Sequence, residues 1–153
     1  MKKTILLLIA MLTISLFYLN SGLGFKFTEI VGAPEERAIK HRFSDYVAVQ
    51  AAIIDYRIEG NYAFGFRLPA YDAYCEDGKY TSLLLSLEGV FFIFNLNDEL
   101  YMEFKKEREF YKHLASLGLK QNLNLNSSQL NDVVQGYEAK YKEFGYFDTC
   151  KPM

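Results

Sequence analysis

The chain contains no tryptophan, and it has only two histidines and two cysteines. A zinc site takes three or four ligands, mostly Cys and His, and two histidines do not provide them if the two cysteines bond to each other. The sequence also lacks a nucleophile elbow, a zincin motif, a P-loop and a dinucleotide-binding glycine pattern. We therefore predict no metal, no cofactor and no catalytic activity.

Basic residues are not clustered anywhere in the chain. Without Lys2 and Lys3, the remaining 15 basic residues face 19 acidic ones, which gives a net charge of −4. A nucleic-acid-binding face needs a concentration of Lys and Arg on one surface. We therefore predict that the protein does not bind nucleic acid.

The N-terminus has the pattern of a secretory signal. Lys2 and Lys3 precede an apolar run from Ile5 to Leu19, and small residues stand at Gly22 and Gly24. This pattern predicts a signal peptide over residues 1–24, with cleavage after Gly24. The alternative is an uncleaved membrane anchor, although the run is shorter than the roughly 20 residues that span a bilayer. Either way the rest of the chain lies outside the cytoplasm, as a periplasmic or secreted protein or as a domain tethered to the inner membrane.

Export determines how the two cysteines are interpreted. In an oxidising compartment an isolated pair usually bonds, and Cys75 with Cys150 is the one intramolecular pairing available. We therefore predict a disulfide that ties the C-terminal tail to the rest of the chain.

Residues 25–153 contain no internal repeat and no Pro/Gly/Ser-rich linker, which predicts a single α+β domain. Phe25 to Val31 alternates weakly and is a candidate edge strand. After Pro34, apolar residues recur at near-helical spacing, which predicts an N-terminal helix, with Ser44 and Asp45 as a possible cap for a second one. The apolar positions of this segment are Ile39, Phe43, Tyr46, Val47, Ala51 and Ile54.

Residues 53–96 have the two-residue period of strands, and we predict a four-stranded antiparallel meander there. Gly60 and Asn61 form a hairpin turn between the first two strands. Later strands follow at Tyr80 to Leu87 and Val90 to Leu96, and because they are apolar on both faces they should be covered on both faces.

Two C-terminal helices are predicted to pack on this sheet. The first begins at a cap formed by Asn97 or Asp98 and ends at Gly118. The second begins at Ser127 or Ser128. Its apolar stripe consists of Leu130, Val133, Val134, Tyr137, Tyr141 and Phe144.

Tyrosines gather around an acidic turn in the middle of the chain. Aromatic side chains with acidic neighbours on a hairpin are typical of a protein-binding surface. The predicted partner-binding residues are Tyr71, Asp72, Tyr74, Glu76, Asp77 and Tyr80. The three acidic groups among them also suit calcium, although their spacing is not that of an EF-hand loop.

These features favour a small exported envelope protein that acts by binding another protein, as an immunity, inhibitor or accessory protein does. One alternative is a carrier of an apolar ligand, with a pocket between sheet and helices lined by Phe91, Phe92, Phe94 and Tyr101. Another is an enzyme whose site is assembled around His41, near Asp45, or around His113, one helical turn after Glu109.

Overall fold

Strands dominate the N-terminal two thirds of the molecule, and helices follow them. The computed structural model describes residues 22–30, 32, 36–75, 80–86, 88–120, 123, 125, 127–143 and 150–152. Over these residues the strands are β1 (Phe27–Ile30), β2 (Ala38–His41), β3 (Val47–Val49), β4 (Ile53–Glu59), β5 (Tyr62–Arg67), β6 (Ala70–Cys75), β7 (Tyr80–Leu85), β8 (Val90–Asn95), β9 (Tyr101–Phe104) and β10 (Cys150–Pro152). The helices are α1 (Glu107–Ser116) and α2 (Ser127–Glu143). The predicted α+β class is confirmed.

The strands form three antiparallel sheets. Their orders are β1-β2-β3, β4-β5-β8-β9 and β10-β6-β7. We call the first the N-terminal sheet and the second the central sheet. The hairpin at Gly60 and Asn61 is confirmed, because β4 pairs with β5 across it and Gly60 has a φ of +58°.

The predicted N-terminal helix is wrong, because residues 36–54 contain β2, β3 and the start of β4. Ser44 and Asp45 make the turn between these strands: the Tyr46 N–H donates to Ser44 Oγ, and the His41 N–H donates to the Tyr46 carbonyl. Ile39 is paired with Val49, and both are fully buried against the central sheet. Packing of these β-branched residues outweighs an apolar spacing that also suits a helix.

The simple meander is also corrected. β5 pairs directly with β8 and β6 pairs with β7, so the strand pair β5·β8 continues past a bend into the strand pair β6·β7. The bend lies at Pro69, whose carbonyl accepts from the Ser86 N–H, and at Gly89. A Cβ at Gly89 would lie 2.0 Å from the ring of Phe66, so the close approach requires glycine.

The first C-terminal helix begins later than predicted. Asn97 and Asp98 donate their N–H groups to Asn95 Oδ1 and so form the turn between β8 and β9. Tyr101 to Phe104, predicted as helical, pair with β8 as β9. Helix α1 ends before Gly118, as predicted, where φ is +75°.

Three apolar clusters hold these layers together. One face of the central sheet packs on the N-terminal sheet through Phe92 and Phe94. The other face packs on α1 through Phe91 and Phe110. Helix α2 covers the bend through Val133 and Tyr137, and the Leu85 N–H donates to the Tyr137 hydroxyl at 3.0 Å. The prediction that β8 is buried on both faces is confirmed.

Residues 1–21, which carry most of the predicted signal, lie outside the described residues. Leu23, on the signal side of the predicted cleavage point, is only 2% exposed and belongs to the cluster around Phe92. The described chain therefore packs into the core before Phe25. Cleavage after Gly24 stays a prediction.

Candidate functional site

The bend between the two strand pairs opens a cleft of about 530 Å³, which we call the bend cleft. It lies where β5 passes into β6 and where β7 passes into β8. Because β9 neighbours β8 in the central sheet, side chains at and just after the end of β9 complete one wall. The lining residues include Arg67, Tyr71, Glu88, Glu103 and Lys105.

A fixed guanidinium lies in the wall of the bend cleft. Arg67 is only 8% exposed, and it donates from Nε to the Tyr101 hydroxyl at 2.8 Å and from Nη2 to Glu103 Oε2 at 2.9 Å. Its Nη1 donates to the Ala51 carbonyl at 3.3 Å. The Tyr101 hydroxyl also donates to Glu103 Oε2, at 3.0 Å. Each nitrogen of the guanidinium is therefore hydrogen-bonded, and the orientation of the group is set before any ligand arrives.

The electrostatics of this group follow from its burial. Desolvation raises the pKa of Tyr101 to about 12; Arg67 opposes this shift, and Glu103 adds to it. At neutral pH, Tyr101 is therefore a hydrogen-bonding phenol. The rim adds Glu88 and Lys105, both exposed, so the bend cleft presents both signs of charge to solvent.

Two of the predicted partner-binding residues are well exposed on β6. Tyr71 is 45% exposed and Tyr74 is 48% exposed, and Tyr71 also lines the bend cleft. Asp72 lies between them in β6, and Tyr80 in β7 is the backbone partner of Tyr74. Glu76 and Asp77 lie outside the described residues. The structure thus places Tyr71 beside Arg67, a neighbour that the sequence analysis did not propose.

The predicted disulfide joins two positions that the backbone brings together. Strand β10 pairs with β6, and Cys150 is the direct partner of Cys75. Cross-strand partners have Cα atoms roughly 4.5–5.5 Å apart, inside the range that a disulfide needs. The register therefore suits the bond, which itself stays a prediction.

A second arginine, Arg37, has a similar environment away from the bend cleft. It forms an ion pair with Glu29 and donates from Nη1 to the Ile54 carbonyl at 3.2 Å, and its guanidinium lies 5.1 Å from the Tyr56 ring centroid. Burial and the charge of Glu29 raise the pKa of Tyr56 to about 12, and Arg37 opposes the shift. Because Arg37 and Glu29 flank the N-terminal sheet while Tyr56 is in β4, this group joins two sheets.

The two histidines lie among aromatic rings. His41 packs between Phe27 and Phe43, and its Nδ1 accepts the Phe43 N–H at 3.3 Å. The ring of His113 lies 5.4 Å from that of Phe104. The proposed enzyme sites are thus two separate, partly buried imidazoles on different elements.

The rings proposed for an apolar carrier pocket lie on opposite faces of the central sheet. Phe91 stacks on Phe110 of α1, with centroids 4.9 Å apart. Phe92 and Phe94 face the N-terminal sheet, where Phe92 stacks on Tyr101. They do not line one pocket.

The described part of the chain contains no group of three or more His, Cys, Asp or Glu side chains placed to hold a metal ion. Its helices include none that is long and apolar enough to span a membrane.

Comparison of the chain with protein-family models, with curated proteins and with solved structures found no match.

The sequence analysis did not propose Arg67 as a site residue, although the residue pattern of β5 contained one indication of its role. The alternation of β5 places Ala63, Gly65 and Arg67 on one face. Two small residues before a long cation leave room for a covering layer, and Tyr101 and Glu103 alternate in the same way on β9. The pairing of β5, β8 and β9 was the missing information.

Proposed function

We propose that this protein is an exported envelope protein that acts by binding another protein, through a surface made of Tyr71 and Tyr74 on β6 together with the bend cleft. The observation that carries the proposal is that Tyr71, an exposed tyrosine, lines the same cleft as the fixed, hydrogen-bonded Arg67, with a second exposed tyrosine, Tyr74, three residues further along β6. We call this the β6 surface.

Tyrosine and arginine are the side chains that most often dominate protein–protein affinity. A tyrosine contributes a large apolar ring at low cost in conformational entropy, and its hydroxyl adds one hydrogen bond. Tyr71 and Tyr74 present such rings from a strand that has a neighbour on each side, β10 and β7. Because a paired strand is rigid, these rings are held in place before binding.

The bend cleft adds selectivity to this surface. Arg67 cannot turn away, because Tyr101, Glu103 and the Ala51 carbonyl hold it. A partner side chain that enters the cleft meets this cation together with Glu103 and, at the rim, Lys105 and Glu88. Complementary charges in the partner would increase its affinity for the cleft. A purely apolar segment would bind less well, because it would remove water from these charged groups and offer them no hydrogen bond.

The test is quantitative co-purification with the full chain, affinity-tagged and extracted from the cell envelope in mild detergent. We expect a stoichiometric protein partner with the unaltered chain and a loss of about tenfold or more with Tyr71→Ser/Tyr74→Ser, because hot-spot tyrosines each contribute more than 1 kcal/mol.

The matched control is Leu100→Ser/Leu125→Ser, a pair of exposed apolar residues outside the β6 surface. This variant should retain the partner at the level of the unaltered chain. Absence of any stoichiometric partner, or equal loss with both double variants, would count against the proposal.

A further inference from the structure

The folded domain begins before the predicted cleavage point. Leu23 is buried in the cluster that joins the N-terminal sheet to the central sheet, with Phe27, Val49 and Phe92 among its members. Gly22 has a φ of +67°, and a Cβ there would lie 2.9 Å from Ile58 Cδ1. Glycine lets the chain turn closely over β4 at this point.

Cleavage after Gly24 would therefore remove part of the core. The leucine side chain would leave an apolar hole between two sheets, and close-packed interiors tolerate such holes poorly. The same cut would put a new charged amino group at Phe25, whose carbonyl accepts from Arg42 Nε. Residues just before Phe25 thus pack as part of the folded domain, which favours their retention in the mature protein.

Directly after this point the molecule presents two exposed phenylalanines, which we call the aromatic patch. Phe25 is 66% exposed and Phe43 is 63% exposed, and their ring centroids lie 5.1 Å apart. Arg42 fixes the arrangement by donating from Nε to the Phe25 carbonyl at 3.1 Å and from Nη2 to the Phe27 carbonyl at 2.9 Å. Because the two rings adjoin, they form one contiguous apolar surface, which is the kind of surface that can contact a membrane or a protein.

Covalent distance limits what can lie against the aromatic patch. Leu19 ends the apolar run, and six residue steps separate it from Phe25. A fully extended chain covers at most about 3.6 Å per step, so Phe25 lies within about 22 Å of the end of the run. If the run sits in a bilayer, this tether keeps the patch within reach of the headgroup region, where aromatic and apolar side chains are favoured.

We propose that the apolar run Ile5–Leu19 stays attached to the domain and that the aromatic patch of Phe25 and Phe43 lies against the surface of the membrane that holds this run. The occupant of the patch is the lipid interface. This surface is separate from the β6 surface, and the proposal does not depend on the binding function.

Retention is tested by the intact mass of the full chain purified from the membrane fraction. We expect a mass that includes the residues from Ile5 to Leu19. A mass that begins at Phe25, or any mass that lacks the run, would overturn the proposal.

The position of the patch can be measured because the natural chain has no tryptophan. A Phe43→Trp variant of the full chain, reconstituted in phosphatidylcholine vesicles, carries a single indole in the patch. A Tyr71→Trp variant carries the same reporter on the β6 surface and is the matched control. Both substitutions exchange one exposed aromatic ring for another, so the fold should be retained.

We expect brominated phosphatidylcholine to quench the Phe43→Trp variant at least about twofold more than the Tyr71→Trp variant, because an indole at the interface meets the lipid chains. Equal quenching of the two variants would overturn the proposal. A blue-shifted emission from the Phe43→Trp variant without lipid quenching would also overturn it, since a protein surface would then cover the patch.

Discussion

Arg67 is the residue whose surroundings are most specific. Its guanidinium has a phenol, a carboxylate and a backbone carbonyl as partners, and its burial makes each of these bonds stronger than it would be in water. Glu103 is more exposed than Arg67, so water remains available to one side of the pair. The group therefore orders the wall of the bend cleft more than it stabilises the whole molecule.

Arg67→Met keeps the aliphatic stem and removes the cation. We expect the free energy of unfolding to fall by about 2 kcal/mol, because hydrogen bonds to charged groups are lost while Glu103 regains contact with water. Chemical denaturation followed by circular dichroism measures this change.

The control for that variant is Arg108→Met, an exposed arginine of α1, which should change stability by less than about 0.5 kcal/mol. Equal stability of the two variants would show that the Arg67 hydrogen bonds are not formed in solution.

Tyr101 and Tyr56 give the protein a defined response to alkali. Burial raises the pKa of each from the usual 10.0 to about 12. Below pH 10 both phenols are protonated in the folded and the unfolded chain, so their contribution to stability is complete. Between pH 10 and 12 the unfolded chain ionises first, and the contribution is lost as the pH rises.

The corresponding prediction is a late phase in the tyrosinate absorbance of the folded protein, coupled to unfolding between pH 10 and 12. Tyr101→Phe should reduce the late phase. In denaturant all tyrosines should titrate together near pH 10. A folded-state titration that superimposes on the denatured one would contradict the assigned burial.

Turns and helix caps use the same residues, and this limits what could be predicted of the elements. Ser44–Asp45 and Asn97–Asp98 both resemble helix caps in the sequence, and both form turns between strands. The distinction depends on partners far away in the chain, such as β8 for Tyr101–Phe104. By contrast, the hairpin at Gly60, the end of α1 at Gly118 and the part of the α2 apolar stripe from Leu130 to Tyr137 are set by local chemistry, and they were predicted. Phe144 and the side chain of Tyr141 lie outside the described part of the structure.

The candidate site shows the same contrast between residues with a local signal in the sequence and residues placed by distant partners. Tyr71 and Tyr74 were proposed from the sequence because they are tyrosines close to acidic residues, and their part in binding stays a prediction. Arg67 was missed because its partners Tyr101 and Glu103 lie more than 30 residues away and are brought to it by the β5-β8-β9 order. Which strands pair depends on contacts between distant residues, and the local patterns of a single sequence do not reveal those contacts.

Helix α1 packs on the central sheet through two buried side chains, Phe110 and Leu114, of which Phe110 is the larger. Phe110 is fully buried and stacks on Phe91, with Phe64 and Phe104 around it. Phe110→Ala should lower the free energy of unfolding by about 3–5 kcal/mol, because it leaves a cavity among these rings. Thermal and chemical denaturation measure the loss.

Lys112→Ala, on the exposed side of the same helix, is the matched control and should change stability by less than about 0.5 kcal/mol. If Phe110→Ala were as well tolerated, α1 could not be packed on the sheet as described.

At the scale of the whole molecule, the C-terminus returns to the middle of the chain. Strand β10 pairs with β6 and brings Cys150 opposite Cys75. On the chain-entropy model, a bond that closes a loop of this length stabilises the fold by about 4 kcal/mol. Because β6 also carries Tyr71 and Tyr74, such a bond would secure one side of the strand that forms the β6 surface.

A location outside the cytoplasm, which the N-terminal sequence predicts, is what the proposed disulfide, the envelope partner and the membrane-facing patch have in common. The most direct measurement is alkylation of thiols in intact cells, followed by the mass of the purified full chain with and without prior reduction. Our account predicts that Cys75 and Cys150 take up no label until the protein is reduced, and that both are labelled afterwards. Two labelled thiols in the unreduced, folded protein would contradict it.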